Sequence, residues 1–207
     1  MSTGQVSYVE ITQLEDDLLL PWLDLYEITF PPEEKILVSN FLTHLKDKAN
    51  RTGANFIILA AVQSQTTLVG IACYQVFPEQ GAAMLWYLAV GSQQRNRGLG
   101  GAIYQEIIRR IDPTNFAALI MEAEIPELCH TQEACQYATR RIGFYQRQGA
   151  FRLGGVHYLQ FVGKHLPPTP MHILVYPFRP ISPQAAFDLV CSITQDAMTQ
   201  TGELTLN

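Results

Sequence analysis

The chain predicts a mixed α/β fold, a central sheet flanked by helices, and three observations carry that prediction. Residues 83–111 pass from an apolar strand through a basic, Gly-rich turn straight into an amphipathic helix, the joint of an α/β unit. Two apolar runs, 55–63 and 67–77, are separated only by the polar Ser64-Gln65-Thr66 and read as a β-hairpin. Segments with helical apolar spacing stand on both sides of these strands, giving the order β-αα-βββ-α-β-α-ββ.

Each element follows from its residues. Residues 5–12 alternate apolar and polar types and form a first strand. Over 15–29, Leu18, Leu19, Trp22, Leu23 and Tyr26 recur at helical spacing; Pro21 delays the start and Pro31-Pro32 ends the helix. A second helix is expected over 33–49, with Ile36, Leu37, Phe41, Leu42 and Leu45 on one face and acids in its first turn. After the hairpin, a turn over 78–81 leads to a strand over 83–90. The helix beyond the Gly-rich turn buries Leu99, Ile103, Ile107 and Ile111, and Asp112-Pro113 stops it. A short strand over 117–123 precedes a helix over 132–148, with Gly149 suited to its C′ position. Two further strands, near 151–162 and 171–177, are joined by the Pro-rich stretch 166–170. An extra helix is expected over 183–198, then a frayed tail over 199–207. With 207 residues, 47% hydrophobic and 16% charged, residues 1–180 suit one domain with the C-terminal helix and tail, 181–207, packed on it.

Charge and cysteine usage narrow the partners. A formal net charge of -5 disfavours nucleic acid and anionic membranes, which reward a basic surface. Cys73, Cys129, Cys135 and Cys191 show no C-x-x-C spacing, so neither zinc nor a disulfide framework is indicated and no metal is expected. The N-terminus has no basic region followed by an apolar stretch, and the short Leu18-Leu19-Leu20 run follows three acids. A reducing cytoplasm is the expected compartment.

The turn after the 83–90 strand is built to hold an anion. Gly98, Gly100 and Gly101 let a phosphate approach the main chain, Arg95 and Arg97 bring positive charge, and the helix that follows offers its N-terminal N–H groups. Spacing separates three motifs. A Walker loop fails, because Gly101 and Ala102 stand where Lys and a hydroxyl are needed; a dinucleotide fingerprint is weak, because Ile103 occupies its third Gly position. What remains is Arg95-x-x-Gly98-x-Gly100 after Leu88-Ala89-Val90. This resembles the pyrophosphate loop, Q/R-x-x-G-x-G/A, of the GNAT superfamily of acyl-CoA-dependent N-acyltransferases, and the element order resembles that family from end to end. A second match is Phe144-Tyr145-Gln146-Arg147-Gln148-Gly149-Ala150-Phe151, similar to the family's F/Y-Y-x-x-x-G-F with Ala150 inserted.

The resemblance implies a mostly antiparallel sheet of about seven strands, splayed around the cofactor, with helices on both faces. It implies acetyl-CoA, or another short acyl-CoA, as cosubstrate: backbone of Leu88, Ala89 and Val90 along the pantetheine arm, and Arg95, Asn96, Arg97, Gly98, Leu99, Gly100 and Gly101 around the pyrophosphate. Tyr145 falls on the general-acid position beside the cofactor, where a phenol could protonate the departing thiolate; taken alone, it reads equally as a core residue continuing the Cys135, Ala138, Ile142 stripe. An ammonium acceptor must lose a proton before attack, and Glu122 and Glu124 are the candidate bases, two apart on one strand face opposite Met121 and Ala123. Solvated charge at a strand end explains each glutamate about as well.

Other residues rank lower. His130 reads as a solvated loop residue, Glu33 and Glu34 as helix-capping acids that face the acceptor in relatives, and Tyr74, Tyr158 and Tyr176 as packing aromatics. The family's Asn seven residues before the Tyr is Ala138 here, with Arg141 as a substitute contact. The implied activity is transfer of a short acyl group to a primary amine, of a small molecule or a protein, in a ternary complex. The alternative is a catalytically silent acyl-CoA-binding or protein-interaction module, motivated by Ala138 and the extra helix. The acceptor site would draw on 28–36, the strand faces and 166–170. The extra helix and last strands offer surfaces for a homodimer.

Overall fold

The computed structural model describes residues 5–47, 55–64, 66–161, 167–194 and 197–207. They form eight strands of a mixed sheet and five α-helices: β1 (Val6–Ile11), α1 (Leu19–Thr29), α2 (Val38–Asp47), β2 (Asn55–Gln63), β3 (Thr67–Phe77), β4 (Ala82–Val90), α3 (Leu99–Arg110), β5 (Ala118–Glu124), α4 (Gln132–Arg147), β6 (Phe151–Gln160), β7 (Thr169–Pro177), α5 (Pro183–Thr194) and β8 (Met198–Leu206). The expected order is present, with one strand more than the sequence suggests. Gln65, residues 48–49, residue 162 and Leu166 lie outside the described residues.

The chain divides into two compact units, Met1–Val76 with Leu85–Ile111, and Phe77–Met84 with Asp112–Asn207. In the first, β1, β2 and β3 are successive antiparallel neighbours and β4 follows β3. Its core is aromatic. Trp22 stacks on Tyr26 at 5.6 Å between ring centroids, and Phe41 and Tyr87 meet Tyr26 edge-on at 5.0 and 4.8 Å. Burying an indole leaves an N–H to satisfy, and Trp22 Nε1 donates to the Leu59 carbonyl at 3.0 Å. Trp22→Ala removes both the ring and that bond. It should cost about 3–5 kcal/mol of unfolding free energy, measurable as a shift in the denaturant midpoint.

One helix starts later than its periodicity suggests. The pattern predicts a helix from residue 33, but Pro32–Glu34 form a single 3-10 turn, Lys35 is extended and α2 begins at Val38. Side chains have captured the backbone groups that a helix would need. The Tyr26 hydroxyl donates to the Ile36 carbonyl at 2.9 Å, the Tyr87 hydroxyl donates to the Glu34 carbonyl at 3.0 Å, and the Ile36 N–H donates to the Tyr87 oxygen at 3.1 Å. The acids at 33 and 34 therefore do not lie in the first turn of α2.

In the second unit the order is β5-β7-β6-β8, all three pairings antiparallel, so β7 runs between β5 and β6. Ala186 and Val190 of α5 pack into a core with Ile120, Leu153, Tyr158 and Ile173. The segment expected to fray is β8, paired with β6 from Tyr158↔Met198 to Leu153↔Leu206. Its sequence is mostly polar and its middle exposed, so its pattern carries no burial signal; pairing alone orders it. Gly155 permits the pairing. It has φ +77°, and a Cβ there would stand 2.1 Å from the Glu203 carbonyl oxygen. Among the described residues no helix is long and apolar enough to cross a membrane.

Candidate functional site

The Gly-rich turn expected to hold an anion lies in the first unit. After β4 the Gly91 N–H closes onto the Val69 carbonyl at 3.0 Å, a 3-10 turn covers Ser92–Gln94, and Asn96 takes φ +61°. Gly98, at φ +78°, is the N-cap of α3, whose start has neither a side-chain cap nor an acid. Ala102 is bonded back to the Gly98 carbonyl at 3.0 Å, so the N–H groups of Leu99, Gly100 and Gly101 precede the intrahelical ladder. A Cβ at Gly98 would meet nothing within 4 Å. The cradle is open, and its uncapped dipole end favours an anion.

Arg95 and Arg97 are exposed. Each makes one long bond, Arg95 Nε to the Val90 carbonyl at 3.4 Å and Arg97 Nη1 to Gln94 Oε1 at 3.5 Å. Five donors per guanidinium leave capacity for phosphate oxygens. Along β4, Ala89 packs into the core of its unit while Leu88 and Val90 are half-buried on the alternate face. The donor set therefore fits a diphosphate.

The titratable cluster belongs to the second unit. Glu122 and Glu124 alternate on β5 with buried Met121 and Ala123, as their spacing predicts, but they have different partners. Glu122 receives two bonds from β6: the Tyr158 hydroxyl donates to Oε1 and the Gln160 amide Nε2–H donates to Oε2. Burial raises the Glu122 carboxyl above the ordinary range, and the two hydrogen bonds oppose that rise without cancelling it. Glu124 instead receives Arg141 Nη1 of α4 at 2.7 Å. That ion pair occupies Glu124 and turns Arg141 toward a carboxylate, so two candidate roles, base and cofactor contact, meet in one salt bridge.

Tyr145 is buried in the last turn of α4, with its ring edge against Phe144. Burial pushes its phenol up to about 12, Arg141 pulls it down and Glu124 pushes it up. The phenol therefore stays protonated at neutral pH. Ala138, two turns earlier, is fully buried. The start of α4 is fixed locally: Thr131 Oγ1 accepts the Ala134 N–H at 3.1 Å.

The other candidates have the following surroundings. His130 is exposed, Glu34 presents its carbonyl to Tyr87, and the Glu33 side chain lies outside the described residues. Tyr74 is a buried core phenol. Of the Pro-rich stretch, 167–168 are exposed and Thr169-Pro170 already belong to β7. The sequence reads Tyr158 as a packing aromatic and does not single out Gln160, yet both bond Glu122. Their one local signal is spacing two apart on β6, which puts both on one face.

Known proteins resemble this chain in sequence pattern and in fold. The family model described as "Acetyltransferase (GNAT) family" matches residues 19–150, a span that holds the anion turn, both glutamates and Tyr145 and stops before Tyr158 and Gln160. A search of the curated proteins finds no match. Among solved structures, a protein from Bacteroides thetaiotaomicron described as an acetyltransferase of the GNAT family is similar at TM-score 0.68. It is 22% identical, over 89% of this chain and 93% of that one. The ribosomal-protein-S18-alanine N-acetyltransferase of Escherichia coli is similar at TM-score 0.56, with 15% identity over 86% and 97%. A GNAT acetyltransferase from Elizabethkingia anophelis, with acetyl-CoA bound, is similar at 0.53, with 15% identity over 83% and 97%.

Proposed function

Because this chain belongs to the acetyltransferase (GNAT) family, we propose that it moves an acetyl or similar short acyl group from CoA to a primary amine by direct attack in a ternary complex. The observation that carries the reading is the turn at 95–101, with its open Gly98, uncapped α3 and two exposed arginines. Acyl-CoA supplies the electrophilic thioester carbonyl and the thiol leaving group. Everything else is done by the chain. The N–H groups of Leu99, Gly100 and Gly101, with Arg95, Arg97 and Asn96, hold the pyrophosphate, and the backbone of Leu88, Ala89 and Val90 aligns the arm. Glu122 takes the proton from the acceptor ammonium, because its raised carboxyl is closer to the operating pH than an exposed one. Glu124 holds Arg141 rather than a substrate proton. Tyr145 offers its phenolic proton to the sulfur as it leaves.

The acceptor remains a class: small amine, amino acid, antibiotic, or a protein N-terminus or lysine. The same reading places the reaction in the cytoplasm, the compartment expected from the cysteine spacing. Incubation with acetyl-CoA and a panel of these amines, read as released CoA thiol, tests the function. CoA binding with no thiol release over the whole panel would replace it with the silent acyl-CoA-binding module. Gly98→Val tests the cradle: a β-branched residue at φ +78° strains the turn by at least about 1–2 kcal/mol and fills the open space. Calorimetric titration should then show CoA affinity falling by about tenfold or more, while the unfolding midpoint drops only by the few degrees that this strain costs.

A further inference from the structure

Among the described residues the Gln160 Oε1 is buried and has no hydrogen-bond partner, although Nε2 of the same amide donates to Glu122. A buried carbonyl without a donor is costly and calls for a physical reason. The surroundings of Glu122 supply one. From β6 it faces Tyr158 and Gln160; β7 sets Ile173 opposite it and His172 at the register of Ala123; α5 brings the apolar Ala186 and Val190 to the same core as Tyr158; on its own strand Glu124 is held by Arg141 of α4.

Glu122 needs different partners in its two states. As a carboxylate it only accepts, and the present arrangement gives each oxygen a donor. Once protonated it carries an O–H that must donate, and an N–H facing that oxygen would then oppose it. We propose that Gln160 is a positioning residue whose side-chain amide, by turning over, holds Glu122 in both its ionised and its protonated form. In the ionised state Nε2–H donates to Oε2; in the protonated state Oε1 takes that place and accepts the Oε2–H. An amide keeps its shape when turned, and one of its two ends is unpartnered in either orientation, so the exchange adds no unpaired group. The atom left idle now is the acceptor used after proton uptake.

The proposal rests on the reading of Glu122 as the base, and its test works without turnover. In the wild-type protein, the Gln160 side-chain amide resonances, assigned with Gln160→Met, should titrate with the same midpoint as the Glu122 carboxyl carbon, assigned with Glu122→Gln. In Gln160→Met both bonds are lost. The charge-assisted bond to the carboxylate is the stronger, so the Glu122 midpoint should rise by roughly 0.5–1 pH unit. The acid limb of kcat/KM should move by the same amount, a shift that a purely structural role would not produce. Amide resonances that stay flat through the Glu122 titration, or a midpoint unmoved in Gln160→Met, would overturn the proposal. Absence of acyl transfer, or full activity of Glu122→Gln, would overturn only the function on which it rests, and the amide titration would still be readable.

Discussion

Glu122→Gln should lower kcat/KM for the acceptor amine by about 10²–10⁴-fold while CoA affinity changes little. The direction follows from geometry. Gln is nearly isosteric and can still accept from Tyr158 and meet the Gln160 amide, but it cannot take a proton from an ammonium. Stability should move the other way. The folded carboxyl titrates above its unfolded value of about 4.3, so the stability contributed by this group is fully present below that value and is lost as pH rises through the raised folded one. Above that pH the wild type carries a partly exposed but desolvated carboxylate that the variant does not. The gap in melting temperature, variant above wild type, should therefore open with rising pH and close in acid. A variant that lost activity together with stability at neutral pH would mark Glu122 as a structural residue.

The parts legible in the sequence are those whose physics is local. The Gly-rich turn is readable because Gly98 stands directly at the start of α3, and the end of α4 at Gly149 is set by its neighbours. The delayed start of α2 is not readable from 33–37, because the hydroxyls that capture that backbone come from Tyr26 and from Tyr87, more than fifty residues on. β8 is hidden for the opposite reason: its exposed, polar residues have no periodic burial, and only the β6 edge defines it. The partners of Glu122 combine both problems. Tyr158 and Gln160 lie on β6, with β7 between them and β5, so their role depends on a strand order that no local pattern specifies. Tyr158 reads as packing by spacing, and it does pack, while its hydroxyl serves the carboxylate.

Tyr145→Phe should lower kcat by about 10–10²-fold and change CoA affinity by less than about threefold. Burial holds the phenol protonated up to about 12, above an ordinary thiol at about 8.5, so full proton transfer to a free thiolate runs uphill. The useful event comes earlier, while charge is building on sulfur and the O–H bond strengthens with it. Such an interaction is made mainly in the transition state, which lowers kcat with little effect on ground-state binding. Two consequences separate this role from that of Glu122. The loss in Tyr145→Phe should be constant from pH 6 to 9, because the phenol does not titrate in that window, whereas the Glu122 limb should persist unchanged in the variant. An acyl thioester with a more acidic thiol needs less help in leaving, so replacing CoA thioesters by more activated ones should shrink the gap between Tyr145→Phe and wild type. Rates that match wild type at every pH with acetyl-CoA would remove Tyr145 from the proton-transfer chemistry and leave it as a core residue of α4.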